Sequence, residues 1–152
     1  RSANRIRRAN VQLLPNAEIL VVTTPQAAAA EVAERTGLIA SQTKQKVVGV
    51  IENMSYIEQP DGTTLEIFGS GGGAQVAANL SRELGYEVPV LAQLPLDINV
   101  REGSDCGVPA SIADDGRPAA GSSAAQGLAG VARKLGHRAR GLAGRSLGVS
   151  PV

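Results

Sequence analysis

The 152-residue sequence has no tryptophan, two tyrosines and one phenylalanine. Large rings therefore cannot fill its interior, and a core must be built from Val, Ile, Leu and Ala packed at close range. One cysteine, Cys106, excludes an internal disulfide framework and fits a reducing, cytoplasmic setting. Apolar runs stay far below the ~20 residues of a membrane helix, and the first residues lack the apolar stretch of a secretory signal, so no membrane partner is expected. Nor does one sign of charge dominate: 15 Lys+Arg against 14 Asp+Glu leave a net charge of +1, too small a field to argue for nucleic acid. Basic residues do crowd the two ends, with Arg1, Arg5, Arg7 and Arg8 at one and Arg133, Lys134, His137, Arg138, Arg140 and Arg145 at the other. No aromatic lies among them to stack on bases, so they read as solvated tails, His137 included.

What is present suffices for one domain. Residues 18–22 (EILVV) and 46–51 (KVVGVI) are short, apolar and rich in branched side chains, the pattern of strands buried on both faces. An Ala-rich stretch between them favours helix, with Thr24 as its expected cap, Pro25 at its first position and Lys44 and Lys46 near its far end. Strand, helix and strand within about 35 residues match a right-handed parallel crossover. Residues 56–58 and 63–68, joined through Gln59, Pro60, Asp61 and Gly62, predict a hairpin outside the main sheet. Residues 74–84 predict a helix with Val76, Ala77, Leu80 and Leu84 on one face and Gly85 as its stop. A third strand is expected over 88–94 (VPVLAQL), leading into a turn at Pro95, Leu96 and Asp97. A last helix is expected over 128–135, weakened by Gly127, Gly130 and Gly136. The expected fold class is α/β: a partial doubly wound parallel sheet of about three strands with flanking helices, plus a small β-hairpin.

In an open parallel sheet ligands bind beyond the carboxyl ends of the strands. That rule selects three loops, Thr23-Thr24-Pro25, Glu52-Asn53-Met54 and Pro95-Leu96-Asp97. An Asn directly after a buried strand can offer an acceptor and donors together, as an adenine edge requires, while Pro95 and Leu96 could face the ring. The same Asn is equally an ordinary turn or cap former. The run 69–73 (GSGGG) resembles a phosphate cradle, but it follows a hairpin instead of a buried strand and no Lys-Ser or Lys-Thr follows it. A close-packing or flexible turn is the expected reading. Cys106 reads as a small packing residue, and Asp105 beside it as a turn former.

Five segments in order, EILVVTTPQAAAAEVAERTG, VVGVIENMSY, EIFGSGGG, LGYEVPVLAQLPLD and REGSDCGVP, resemble the second half of the Mrp/ApbC iron-sulfur cluster carriers. These belong to the MinD/ParA-like ATPases with a deviant Walker A motif. The resemblance implies a sheet that dimerises across ATP and Mg2+, with nucleotide turnover coupled to delivery of an iron-sulfur cluster to client proteins. It also implies nucleotide-binding roles for Asn53, as the adenine reader, Met54 next to it, and Pro95, Leu96 and Asp97, as the loop closing over base and ribose.

Two departures temper that expectation. No G-K-G-G-V-G-K-S-like loop occurs, and RSANRIRRAN stands where the second switch segment would end. The chain is therefore expected to be a fragment: 1–10 foreign to the family pattern, 11–136 the C-terminal half of a P-loop NTPase domain, and 137–152 a disordered basic tail. Phosphoryl transfer depends on positioning and charge stabilisation, so no catalytic residue is assigned and the chain alone is not expected to hydrolyse ATP. The cysteines that bridge a cluster in many such proteins correspond to Gln59 and Gly62, neither of which can replace a thiolate, so no metal ligand is assigned. A sheet without its neighbouring strands would leave a hydrophobic edge along residues 18–22 and favour association. The alternative is a non-catalytic protein-binding or dimerisation module derived from the same fold.

Overall fold

A computed structural model describes residues 17–43, 45–109, 112 and 121–137. The segment 1–10 and the tail beyond His137 lie outside the described residues, as does Lys44.

Among the described residues the main sheet has three parallel strands in the order β1 (Ile19–Thr23), β2 (Val47–Glu52), β5 (Val90–Gln93). Every residue of β2 is buried, as expected of a central strand covered on both faces. The pairs Thr23 with Glu52 and Glu52 with Gln93 align the three carboxyl ends. Between β1 and β2 runs helix α1 (Ala27–Thr43), and between β2 and β5 runs α2 (Gly72–Leu84). Both lie on one face, where Val21, Val50, Ala30, Ala33, Val76 and Leu80 form a dense cluster of small and branched side chains. Helix α4 (Ser123–Gly136) covers the other face, packing Val131, Leu128 and Leu135 against Ile51, Leu91 and Leu94. The α/β class with its parallel three-stranded sheet is thus observed. So is the separate hairpin, β3 (Ile57–Glu58) and β4 (Thr64–Leu65), whose turn is held by the Asp61 carboxylate accepting from the Thr63 amide and hydroxyl.

Several local expectations need correction. Helix α1 starts two residues beyond Pro25, and the Gln26 carbonyl accepts from the amides of Ala29 and Ala30, so Thr24 does not cap it. The reason is tertiary: Gly72 packs onto the Thr24 and Pro25 carbonyls, where an added Cβ would sit 2.7 and 2.5 Å away. Lys46 lies beyond the helix and places its ammonium 6.0 Å from the Tyr86 ring centre instead. Helix α4 begins five residues before the expected start, because Ser122 caps it and Ala124 and Ala125 are buried. Gly127 does not simply weaken it, since its missing Cβ gives room to the Leu94 side chain. A further helix, α3 (Ile98–Asp105), follows β5 where only a turn was expected.

Candidate functional site

The ends of β2 and β5 are stitched together past the sheet proper. Leu94 N–H donates to the Glu52 carbonyl (2.8 Å), Ser55 N–H to the Leu94 carbonyl (2.9 Å) and Leu96 N–H to the Tyr56 carbonyl (2.7 Å). These bonds bring the Asn53 turn against Pro95 and Leu96. Met54 between them has φ 56°, the left-handed region that a residue with a side chain rarely occupies. Such strain persists only where surrounding contacts over-determine it, and it concentrates at functional sites.

On the α4 side of the sheet these loops enclose a cavity of about 400 Å³. Asn53, Met54, Pro95, Leu96 and Asp97 all line it, so the structure brings together the five residues singled out above. Its floor is Val22, Ile51 and Leu94, and Leu128 and Ala124 of α4 form one wall. Helix α3 supplies the opposite wall through Val100, Arg101 and Ser104, which sequence reasoning missed. The only signal for them was Asp97 followed by a short polar run, a capping pattern without apolar periodicity. Thr24 and Pro25 do not join this cavity. Thr24 borders a groove beside β1 and Pro25 a hollow between α1 and α2, so only two of the three strand-end loops converge.

The polar groups are few and specific. Asn53 Oδ1 accepts from the Met54 amide (3.0 Å), which orients the side-chain amide and leaves one lone pair. Among the described residues Asn53 Nδ2 donates to none. Acceptor and donor side by side are what the Watson–Crick or Hoogsteen edge of adenine matches. Asp97 caps α3: its Oδ1 accepts from the Asn99 amide (2.8 Å) and the Asn99 side chain (3.1 Å). The Ser122 hydroxyl, more than these bonds, holds the Asp97 carboxyl below the usual carboxylate range, with burial opposing it. Asp97 Oδ2 is buried, and the Ser122 hydroxyl is the group that faces this carboxyl from the start of α4. Arg101 pairs with its exposed neighbour Glu102 at 3.0 Å, a contact weak enough in water to exchange for another anion.

The glycine-rich run is a packing device. Gly71 takes the left-handed conformation that starts α2, and Gly72 and Gly73 are buried where side chains would collide with Pro25 and Glu52. Gln59 and Gly62 close the hairpin turn by a Gly62 N–H to Gln59 carbonyl bond (2.9 Å). Cys106, expected to pack, is exposed, because α3 buries none of its residues and offers no core for the sulfur. Among the described residues no group of three His, Cys, Asp or Glu gathers to hold a metal ion, and no helix is long and apolar enough to cross a membrane.

Most of the chain is similar to known proteins. The model of the ParA family, described as NUBPL iron-transfer P-loop NTPase, matches residues 7–134. An iron-sulfur cluster carrier protein of Mycobacterium tuberculosis is 54% identical over 141 residues, 93% of this chain and 36% of its own length. A protein of the same description from Deinococcus radiodurans is 43% identical over 117 residues, 76% of this chain and 30% of its own. A solved nucleotide-binding protein in complex with ADP, from Archaeoglobus fulgidus, is 35% identical across 58% of this chain and 34% of its own, with a TM-score of 0.44. This chain spans about a third of the length of the curated relatives it matches.

Proposed function

Because the chain belongs to the ParA-type family of iron-transfer P-loop NTPases, the iron-sulfur cluster carriers, we propose that its cavity holds the adenine end of a nucleotide. The observation that carries this reading is the Asn53 side chain: buried apolar surface on either side, Oδ1 oriented by the Met54 amide, and Nδ2 uncommitted among the described residues. Pro95, Leu96 and Met54 would give the ring apolar contact, and Asp97 lines the same cavity as the candidate ribose contact. A volume of about 400 Å³ is ample for a nucleoside.

The same residues do not fit a triphosphate. Among the described residues Arg101 is the one cation lining the cavity, and no glycine-lysine loop occurs among the 152 residues. Backbone amides and a lysine are what neutralise phosphate charge and allow its transfer. Phosphate and Mg2+ handling, pairing of two copies across the nucleotide, and delivery of a cluster to client proteins are not assigned, on this reading, to residues of this chain. The cluster is cargo, and Gln59 and Gly62 leave the hairpin without thiolates for it.

Titration of the isotopically labelled chain with adenosine, followed by NMR, tests the reading. The Asn53 side-chain amide and the Leu96 amide should shift together, and guanosine should bind more weakly, because its O6 accepts where adenine N6 donates. Asn53→Ala should weaken adenosine about tenfold or more while leaving the unfolding free energy within about 1.5 kcal/mol of wild type. Shifts confined to the β1 groove, or equal affinity for both nucleosides, would contradict the assignment.

A further inference from the structure

Glu52 ends β2, immediately before Asn53, and is 1% exposed. Burying a carboxylate is costly unless donors surround it, and an aliphatic side chain would fill the same space without that cost. Here the donors come from three separate places. The Ser55 hydroxyl of the following turn donates to Oε1 (2.9 Å), Gln93 Nε2 of β5 donates to Oε1 (2.9 Å), and the Gly73 amide in the first turn of α2 donates to Oε2. All three are neutral groups, so the carboxylate serves as a junction and not as half of an ion pair.

Gly73 is part of the same device. A Cβ there would stand 2.7 Å from Glu52 Cβ and 3.0 Å from Oε2, so only glycine lets the helix amide reach the carboxylate. The run that looks like a phosphate cradle thus presents an amide to the chain's own anion. Ser55 also places its hydroxyl 3.0 Å from the Glu52 carbonyl, which closes the turn that contains the strained Met54. The carboxylate accordingly fixes three things at once: the height of α2, the register of β5, and the turn from which the Asn53 amide projects.

We infer that Glu52 is a positioning residue for base recognition, holding the Asn53 amide at the distance from Pro95 and Leu96 that one purine requires. This rests on the nucleotide reading of the cavity. A purely structural role would change stability and leave selectivity alone. A positioning role changes the ratio of adenosine to guanosine affinity, because that ratio depends on the direction of the Asn53 donor and acceptor.

The test measures both nucleoside affinities and the thermal midpoint for the full chain and three variants. Glu52→Gln turns a donor toward an existing donor, and the adenosine preference should fall about tenfold while guanosine affinity stays within about twofold. Exchanging the pair, Glu52→Gln with Gln93→Glu, restores one donor and one acceptor across the same gap and should recover most of the preference. Gln93→Ala, at an exposed residue where folding is not at stake, should lower the preference about twofold to threefold. A Glu52→Gln protein that keeps the wild-type preference overturns the inference, whatever its midpoint. So does an exchanged pair that regains the midpoint but not the preference, or a Gln93→Ala protein as selective as wild type. Wild type without any adenosine preference would instead remove the nucleotide reading, and this proposal with it.

Discussion

The two faces of the sheet are built to different standards. Under α1 and α2, nine buried residues interlock, and glycines bring the partners together: Gly37 lies where a Cβ would strike Leu80, and Gly72 where one would strike Pro25. Under α4 the buried cluster is smaller, built on Ile51, Leu94 and Val131; Val22 on the same face is 58% exposed, and a cavity opens toward the strand ends. Interiors close-packed on every side cannot admit a ligand, and a face left partly open keeps both room and uncommitted polar groups. The closed face holds the sheet in place, and the open face has the geometry of a binding surface.

The sharpest way to break this contrast is at Leu80, which is 1% exposed. Leu80→Ala should cost about 3–5 kcal/mol in urea denaturation, because the tight surroundings cannot collapse into the void. A loss under about 1 kcal/mol would mean that the first face is not close-packed. Leu128→Ala, on the cavity wall of α4, should cost only about 1–2 kcal/mol, since the half-buried leucine already borders open space. Equal losses at the two positions would erase the distinction between the faces.

The smallest effect is expected at Asp97. Asp97→Ala removes the cap of α3 and should cost about 0.5–1 kcal/mol at pH 7. Its carboxyl is held below the ordinary value in the folded chain, chiefly by the Ser122 hydroxyl, so the stabilisation is fully present above the unfolded carboxylate pKa of about 3.9. It is lost as pH falls through the lower, folded value. The difference between wild type and variant should therefore vanish in strong acid. A difference that grows on acidification would contradict the assigned direction.

Much of this could be read from residues alone. EILVV and KVVGVI are strands because branched apolar runs bounded by turn residues have few other stable arrangements, and the structure shifts them by only one residue. Asn53, Pro95 and Leu96 could be nominated because parallel strands expose their carboxyl ends on one edge. What escaped was governed by distant contacts. Helix α3 buries nothing and has no apolar period to announce it. The walls from Arg101 and Ser104 depend on where that helix docks. Glu52 gave no sign of its role, since a carboxylate at a strand end reads as exposed until donors more than 20 residues away along the chain close around it.

The order of amino acids by itself determined the parallel crossover, the hairpin and the stop at Gly85, because each follows from local sterics and from hydrophobic period. Only the tertiary structure decided that Gly72 and Gly73 pack against Pro25 and Glu52, that Thr24 does not cap its helix, and that Asn53 meets Pro95 across a cavity. Those outcomes depend on which surfaces come within van der Waals and hydrogen-bond range. That range is set by how α2 and β5 close on the end of β2, and no window of neighbouring residues contains it.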